Sequence, residues 1–151
     1  MASQMRAHLQ KAWYILYYTY GLFSIIVGID KCCNIFAQWQ HYINPYIPKL
    51  LHLEMAQFMY MLAALEIATG LLVFIKPLLG GYITMALLMV VIINLISIGW
   101  YVPLGYVPVS QYDTALRALA MFMGAWAFVE LTKEREKKNY HFGIVKRFKY
   151  E

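Results

Sequence analysis

Polar residues interrupt this chain only at long intervals. From Trp13 to Ile29, Met55 to Ile75, Leu78 to Trp100 and Tyr112 to Leu131 the sequence runs apolar. It lacks the polar face, recurring every three to four residues, that a helix on a soluble core would show. Between Leu78 and Ile98 only Thr84, Asn94 and Ser97 are distinctly polar. Each stretch is near the ~20 residues that an α-helix needs to cross ~30 Å of hydrocarbon. The pattern therefore predicts an all-α polytopic membrane protein. Four transmembrane helices, about 13–29, 55–75, 78–100 and 112–131, form an antiparallel bundle between an N-terminal segment 1–12 and a basic tail 132–151. A backbone N–H or C=O has no water to bond in lipid, so these segments must satisfy their own main chain as helices. No connection is long enough for a separate catalytic domain, so any chemistry must sit among the helices or in their short links.

Lys76-Pro77 is too short to join the second and third segments as anything but an antiparallel hairpin, and Pro77 suits the first turn of a helix, where its missing N–H is not needed. The connection after the first segment carries Trp39, Tyr42, Pro45, Tyr46 and Pro48, a composition suited to the lipid headgroup level. The first helix is expected to continue to about Phe36 before a re-entrant or interfacial stretch. The connection 101–111, with two prolines, a glycine and no charge, is expected to fold back as a lid. Gly21, Gly28, Ala64, Ala68, Gly70, Gly80-Gly81 and Gly124 offer places where helix backbones can approach closely.

Composition strengthens the membrane reading: 62% of residues are hydrophobic and 14% charged, against ~25% charged in an ordinary soluble domain. The net charge of +5 is distributed unevenly. Ten of the thirteen basic residues, Arg6, Lys11, Lys76 and seven after Leu131, fall on one side; Lys31 and Lys49 fall on the other, and Arg117 lies within the fourth segment. By the positive-inside rule both termini are cytoplasmic. The first segment is read as a retained signal anchor, because its aromatic content and the lack of a small-x-small site argue against cleavage. The tail is expected to rest on anionic lipid, with a cytoplasmic partner as the sharper alternative. No nucleic-acid partner is expected; other membrane subunits or further copies of the chain are.

An ionisable side chain at the bilayer centre costs roughly 2.5–3.5 kcal/mol on insertion scales, so each one needs a reason. Glu66 lies near the middle of the second segment. Arg117 is one turn below Asp113, on the same helix face. Asn94 lies near the outer end of the third segment, and Asp30-Lys31 closes the apolar part of the first. These six gather in the outer half of the bundle, with Arg117 about 8 Å and Glu66 about 17 Å below the outer helix ends. Two readings stand side by side. One is an interhelical network in which Arg117 pairs with Asp113 or Glu66, Lys31 with Asp113, and Asn94 bonds across a helix contact. The other is a polar pocket in which Lys31, Glu66, Asn94, Asp113 and Arg117 hold the head of a lipophilic ligand such as a quinone. A protonated Glu66 is a third, simpler account.

Other chemistry is sparse. His8, His41, His52 and His141 all lie outside the four segments, which excludes a membrane-embedded bis-histidine haem. No phosphate loop or paired zinc motif occurs. Adjacent Cys32 and Cys33 do not form a C-x-x-C redox pair and are expected as two reduced, partly buried thiols. Cys32, Cys33, His41 and His52 lack any known metal-ligand spacing, so no metal is expected. There is no complete catalytic constellation.

The run Gly21-Leu-Phe-Ser-Ile-Ile-Val-Gly28-Ile-Asp-Lys31, followed by Trp39 and Pro45, then Glu66-Ile-Ala-Thr-Gly70-Leu-Leu, a Lys-Pro turn and Gly80-Gly81, resembles the DoxX-like family of small four-helix membrane proteins. The resemblance spans about residues 14–131 and rests on G-x-x-K ending at Lys31 and E-x-x-x-G starting at Glu66. The chain differs after Glu130, where Leu-Thr-Lys leads directly into the basic tail. Founding members of the family are described as membrane subunits of a thiosulfate:quinone oxidoreductase, and others are associated with thiol and oxidative-stress complexes. The resemblance implies a bacterial plasma-membrane protein, a membrane subunit of a quinone-linked redox assembly, with Lys31 and Glu66 as the family-matching polar residues. The alternative function is a non-catalytic accessory or assembly subunit of a larger membrane complex.

Overall fold

The computed structural model of the chain describes residues 2–101 and 110–147. Four long helices, α1 (Ala2–Cys33), α3 (Met55–Ile75), α4 (Pro77–Tyr101) and α5 (Ser110–Arg147), make the bundle. A 3-10 turn (Trp39–Tyr42) and a short helix α2 (Tyr46–Leu50) occupy the connection between α1 and α3. All four long helices contain a stretch long and apolar enough to cross a membrane, and no strand occurs among the described residues. The protein is an all-α, four-helix integral membrane protein. The lid expected over 101–111 falls, from 102 to 109, outside the described residues.

Helix bounds differ from the hydropathy segments at the two ends of the chain. Hydropathy marks where lipid ends, whereas a helix ends where its main chain is interrupted. Residues 2–12 and 132–142 contain neither Pro nor Gly, so α1 and α5 continue past the apolar spans. Ion pairs one turn apart support the extension of α5, Lys133 to Glu130 at 2.7 Å and Lys137 to Glu134 at 3.3 Å. The tail expected from residue 132 is thus helical through Arg147.

At its other end α1 stops three residues short of the expected Phe36. Asn34 takes a left-handed conformation (φ 51°) and its N–H still reaches the Asp30 carbonyl. Asparagine tolerates this geometry at a helix C-terminus. The Asp30 carboxylate then accepts the next two backbone N–H groups, from Ile35 at 2.9 Å and Phe36 at 2.8 Å. A second left-handed residue, His52, closes α2, and α3 begins with a capping box between Glu54 and Gln57.

The helices close a ring in the order α1, α3, α4, α5. The α1–α3 seam depends on backbone proximity: a Cβ on Gly70 would lie 2.6 Å from the Gly21 carbonyl oxygen, and one on Gly28 would lie 2.8 Å from that of Ala63. Ala64 and Ala68, by contrast, are exposed and make no such seam. The N-terminal half of α1 meets the C-terminal half of α5 through aromatics. Trp13, Tyr20, Val73, Ala125 and Phe128 form a buried cluster. The polar atoms of its aromatics are matched: Trp13 Nε1 donates to Thr132 Oγ1 at 2.8 Å, and Tyr20 donates to the Met121 carbonyl at 2.7 Å. Leu22, Ile26, Ile93 and Leu116 are exposed, an apolar belt that suits the lipid of a bilayer.

Gly70→Leu should force α1 and α3 apart at a cost of about 1–3 kcal/mol, as overpacking does. A lower thermal midpoint of the helical circular-dichroism signal in mild detergent is the expected result, with Ala64→Leu on the exposed face as the unchanged control.

Candidate functional site

The end of the bundle opposite the aromatic cluster is hollow. A cavity of about 450 Å³ opens between α3, α4, α5 and the α1–α3 connection. Lys31, Glu66, Asn94, Asp113 and Arg117 all line it. The side chains that the sequence leaves as expensive intramembrane polar groups are therefore brought together around one space.

Their pairing is partly as expected. Arg117 Nη2 binds Asp113 Oδ2 at 2.7 Å, one turn along α5, with both side chains largely exposed at the cavity rim. Lys31 pairs with Glu66 instead of Asp113. The cause is the α1–α3 seam: Gly28 abuts Ala63 and Ile67, on either side of Glu66 in sequence, so the α1 backbone is drawn onto α3 there. Lys31, one turn beyond Gly28, then has Glu66 in reach while Asp113 stands across the cavity. Lys31 is 7% exposed, and its Nζ lies 4.5 Å from the centroid of the Trp39 ring, a cation–π contact that covers the ammonium from the connection side. Only Glu66 Oε1 takes part in the pair; Oε2 is buried and accepts no hydrogen bond.

Asn94 lines the cavity but has its amide engaged by the connection. Its Oδ1 accepts from the Asn44 backbone N–H at 3.0 Å and its Nδ2 donates to the Tyr42 carbonyl at 2.6 Å. Asn44 in turn donates to Ser97 Oγ at 3.2 Å. The α1–α3 connection is therefore fastened to α4 by two asparagines. It is fastened to α1 by Asp30, which is 3% exposed and whose Oδ2 accepts from Trp39 Nε1 at 2.6 Å. A carboxylate at a helix C-terminus faces the negative end of the helix dipole, and three N–H donors offset that cost.

Trp39 and Tyr42, which line the cavity, and Asn44, which ties the connection to α4, are the positions that hydropathy reading passes over. The available signals were the Asn44-Pro45 dipeptide, a turn initiator, and the aromatic pair Trp39 and Tyr42 in an otherwise mixed connection. Cys32 and Cys33 are free thiols, as expected, but exposed rather than partly buried. They follow Lys31 on the last turn of α1, and with Lys31 turned in toward α3 they are rotated away. Among the described residues no group of three His, Cys, Asp or Glu side chains comes together to hold a metal ion.

Chemically, this arrangement offers an apolar wall of Leu62, Leu65, Leu87, Val90 and Val91 facing a small polar end with matched charges. Compared with family models, curated proteins and solved structures, the chain matches none.

Breaking the Lys31–Glu66 pair from either side leaves a largely buried charge without its counter-charge. Lys31→Met or Glu66→Leu alone should destabilise by about 3–5 kcal/mol, whereas the double variant should recover much of that loss. Thermal unfolding of the detergent-solubilised variants checks this; strictly additive losses would mean that the two side chains do not act as a pair.

Proposed function

We propose that the cavity binds a lipophilic molecule with a compact polar head, of the quinone type, and that the chain serves as the membrane subunit of a redox assembly. The observation that carries this reading is the cavity itself. At about 450 Å³ it lies within the ~300–1,000 Å³ of small-molecule sites, and like them it joins a mostly apolar wall to a few convergent polar groups. Arg117 has N–H groups beyond the one that binds Asp113, and they suit the carbonyl oxygen of such a head. Trp39 supplies an aromatic face beside Lys31. The DoxX-like resemblance points the same way and adds the bacterial plasma membrane as the location.

A second reading, an accessory subunit with no ligand of its own, is favoured by one feature. Helix α5 runs on through Arg147, past the span that ends at Lys137, as an arm whose charged residues, Lys138, Lys146 and Arg147, are all basic and suit an acidic surface of a neighbouring subunit.

Titrating the purified protein with a decyl-substituted benzoquinone, read by quenching of Trp fluorescence, tests the first reading. Saturable binding is expected, weakened about tenfold by Arg117→Leu and at least as much by Val91→Trp, which fills the cavity, with thermal stability retained. Unsaturable quenching that is the same in all three proteins would discard the ligand site, and co-purification of other membrane proteins would then favour the accessory reading.

A further inference from the structure

A second, smaller cavity of about 60 Å³ lies below the first. Its lining includes Tyr20, Phe23, Ser24 and Val27 of α1, Leu88 of α4 and Met121 of α5. Glu66, Leu87 and Val91 line both cavities, so the two are neighbours across the Glu66 side chain. The smaller one is lined mainly by α1 and α4, with Met121 at its α5 side. Hydrogen bonds and ring contacts join α1 to α5 from Trp13 to Tyr20 on α1 and from Met121 to Arg135 on α5. Past Tyr20, Phe23 is 45% exposed toward the lipid belt. The smaller cavity thus lies beside the larger one, beyond the aromatic cluster that closes α1 on α5, with the partly exposed Phe23 in its lining.

We propose that the smaller cavity is a groove that holds the chain of the ligand, so that the molecule lies with its head beside Lys31 and Arg117 and its tail passing Glu66 and leaving sideways past Phe23. The inference rests on the ligand-binding reading above and deepens it by naming the ligand class: a neutral, carbonyl-bearing head on one apolar chain. Neutrality follows from the wall, where each charge already has its counter-charge, Lys31 with Glu66 and Arg117 with Asp113. An anionic phosphate head would bring an unbalanced negative charge beside Glu66 and Asp113, and a cationic head an unbalanced positive charge beside Lys31 and Arg117. A single chain follows from width, because about 60 Å³ takes only the first carbons of one chain before it emerges into lipid, with no room for the paired chains of a diacyl lipid. Lateral exit also removes any need to draw the tail through the headgroup layer, where the connection is fastened down by Asp30 and Asn94.

Two benzoquinones with the same head, one bearing a methyl and one a decyl group, separate the groove from the cavity. In Val27→Phe, which fills the groove, the decyl compound should bind about tenfold more weakly while the methyl compound is unaffected. A lipid-face substitution, Leu71→Phe, should alter neither. Equal losses for both compounds, or none for either, would overturn the groove while leaving the cavity as a headgroup site. Failure of the wild-type protein to bind either compound would overturn the ligand-binding reading and the groove with it. A decyl analogue with a diazirine at the chain end, photolysed on the unaltered protein, gives a check that needs no variant. Labels on Phe23, Ser24, Val27 or Met121 are expected, and labels confined to Trp39 and Val90 would count against the groove.

Discussion

A lysine and a glutamate paired between α1 and α3 set the shape of the hollow end of this bundle. Two charges taken out of water cost several kcal/mol each and are tolerated only when geometry and covering groups return most of that. Here the geometry comes from small residues: Gly28 against Ala63 and Gly70 against Gly21 bring the two backbones close enough for Lys31 to reach Glu66. Cover comes from Trp39, whose ring lies over the ammonium and whose N–H is held by Asp30. Asp30 in turn ends α1 and starts the connection that roofs the cavity. The ion pair, the end of the helix and the roof of the site are one linked system.

The two ends of the bundle use their polar atoms differently. Toward the chain termini, indole and phenol groups find carbonyl or hydroxyl partners on neighbouring helices, and the space between α1, α3 and α5 is filled by rings. Toward the other end polar side chains line a hollow: Lys31 and Glu66 pair across the close α1–α3 seam, Arg117 and Asp113 pair within α5, and Asn94 bonds the connection. The proposed amphiphile suits a bundle closed at one end and hollow at the other, because polar and apolar walls are presented in the order in which such a molecule carries its own parts.

How much of this could be read before the structure depends on which residues are asked. Helix α3 was legible to the residue, because Glu54 caps its start and Lys76-Pro77 ends it. The far ends of α1 and α5 were not, since hydropathy falls where lipid ends although the helical backbone continues through polar sequence. The cost of intramembrane charge was enough to single out Lys31, Glu66, Asn94, Asp113 and Arg117, and all five do line one cavity. Their pairing was less legible. The Asp113–Arg117 contact is local to one helix turn and follows from spacing, whereas Lys31–Glu66 depends on the crossing of α1 and α3, which small-residue spacing suggests without specifying its height. The tie of Asn94 to Asn44 depends on the path of an irregular connection, about which periodicity is silent.

Native mass spectrometry of the protein, extracted from its own membrane in mild detergent, tests the central claim most directly. If the cavity is a binding site for an amphiphile, the chain should carry one small lipophilic molecule that survives removal of bulk detergent, and that mass should be missing from Val91→Trp. A bare chain, or a bound mass equally present when the cavity is filled, would contradict the claim.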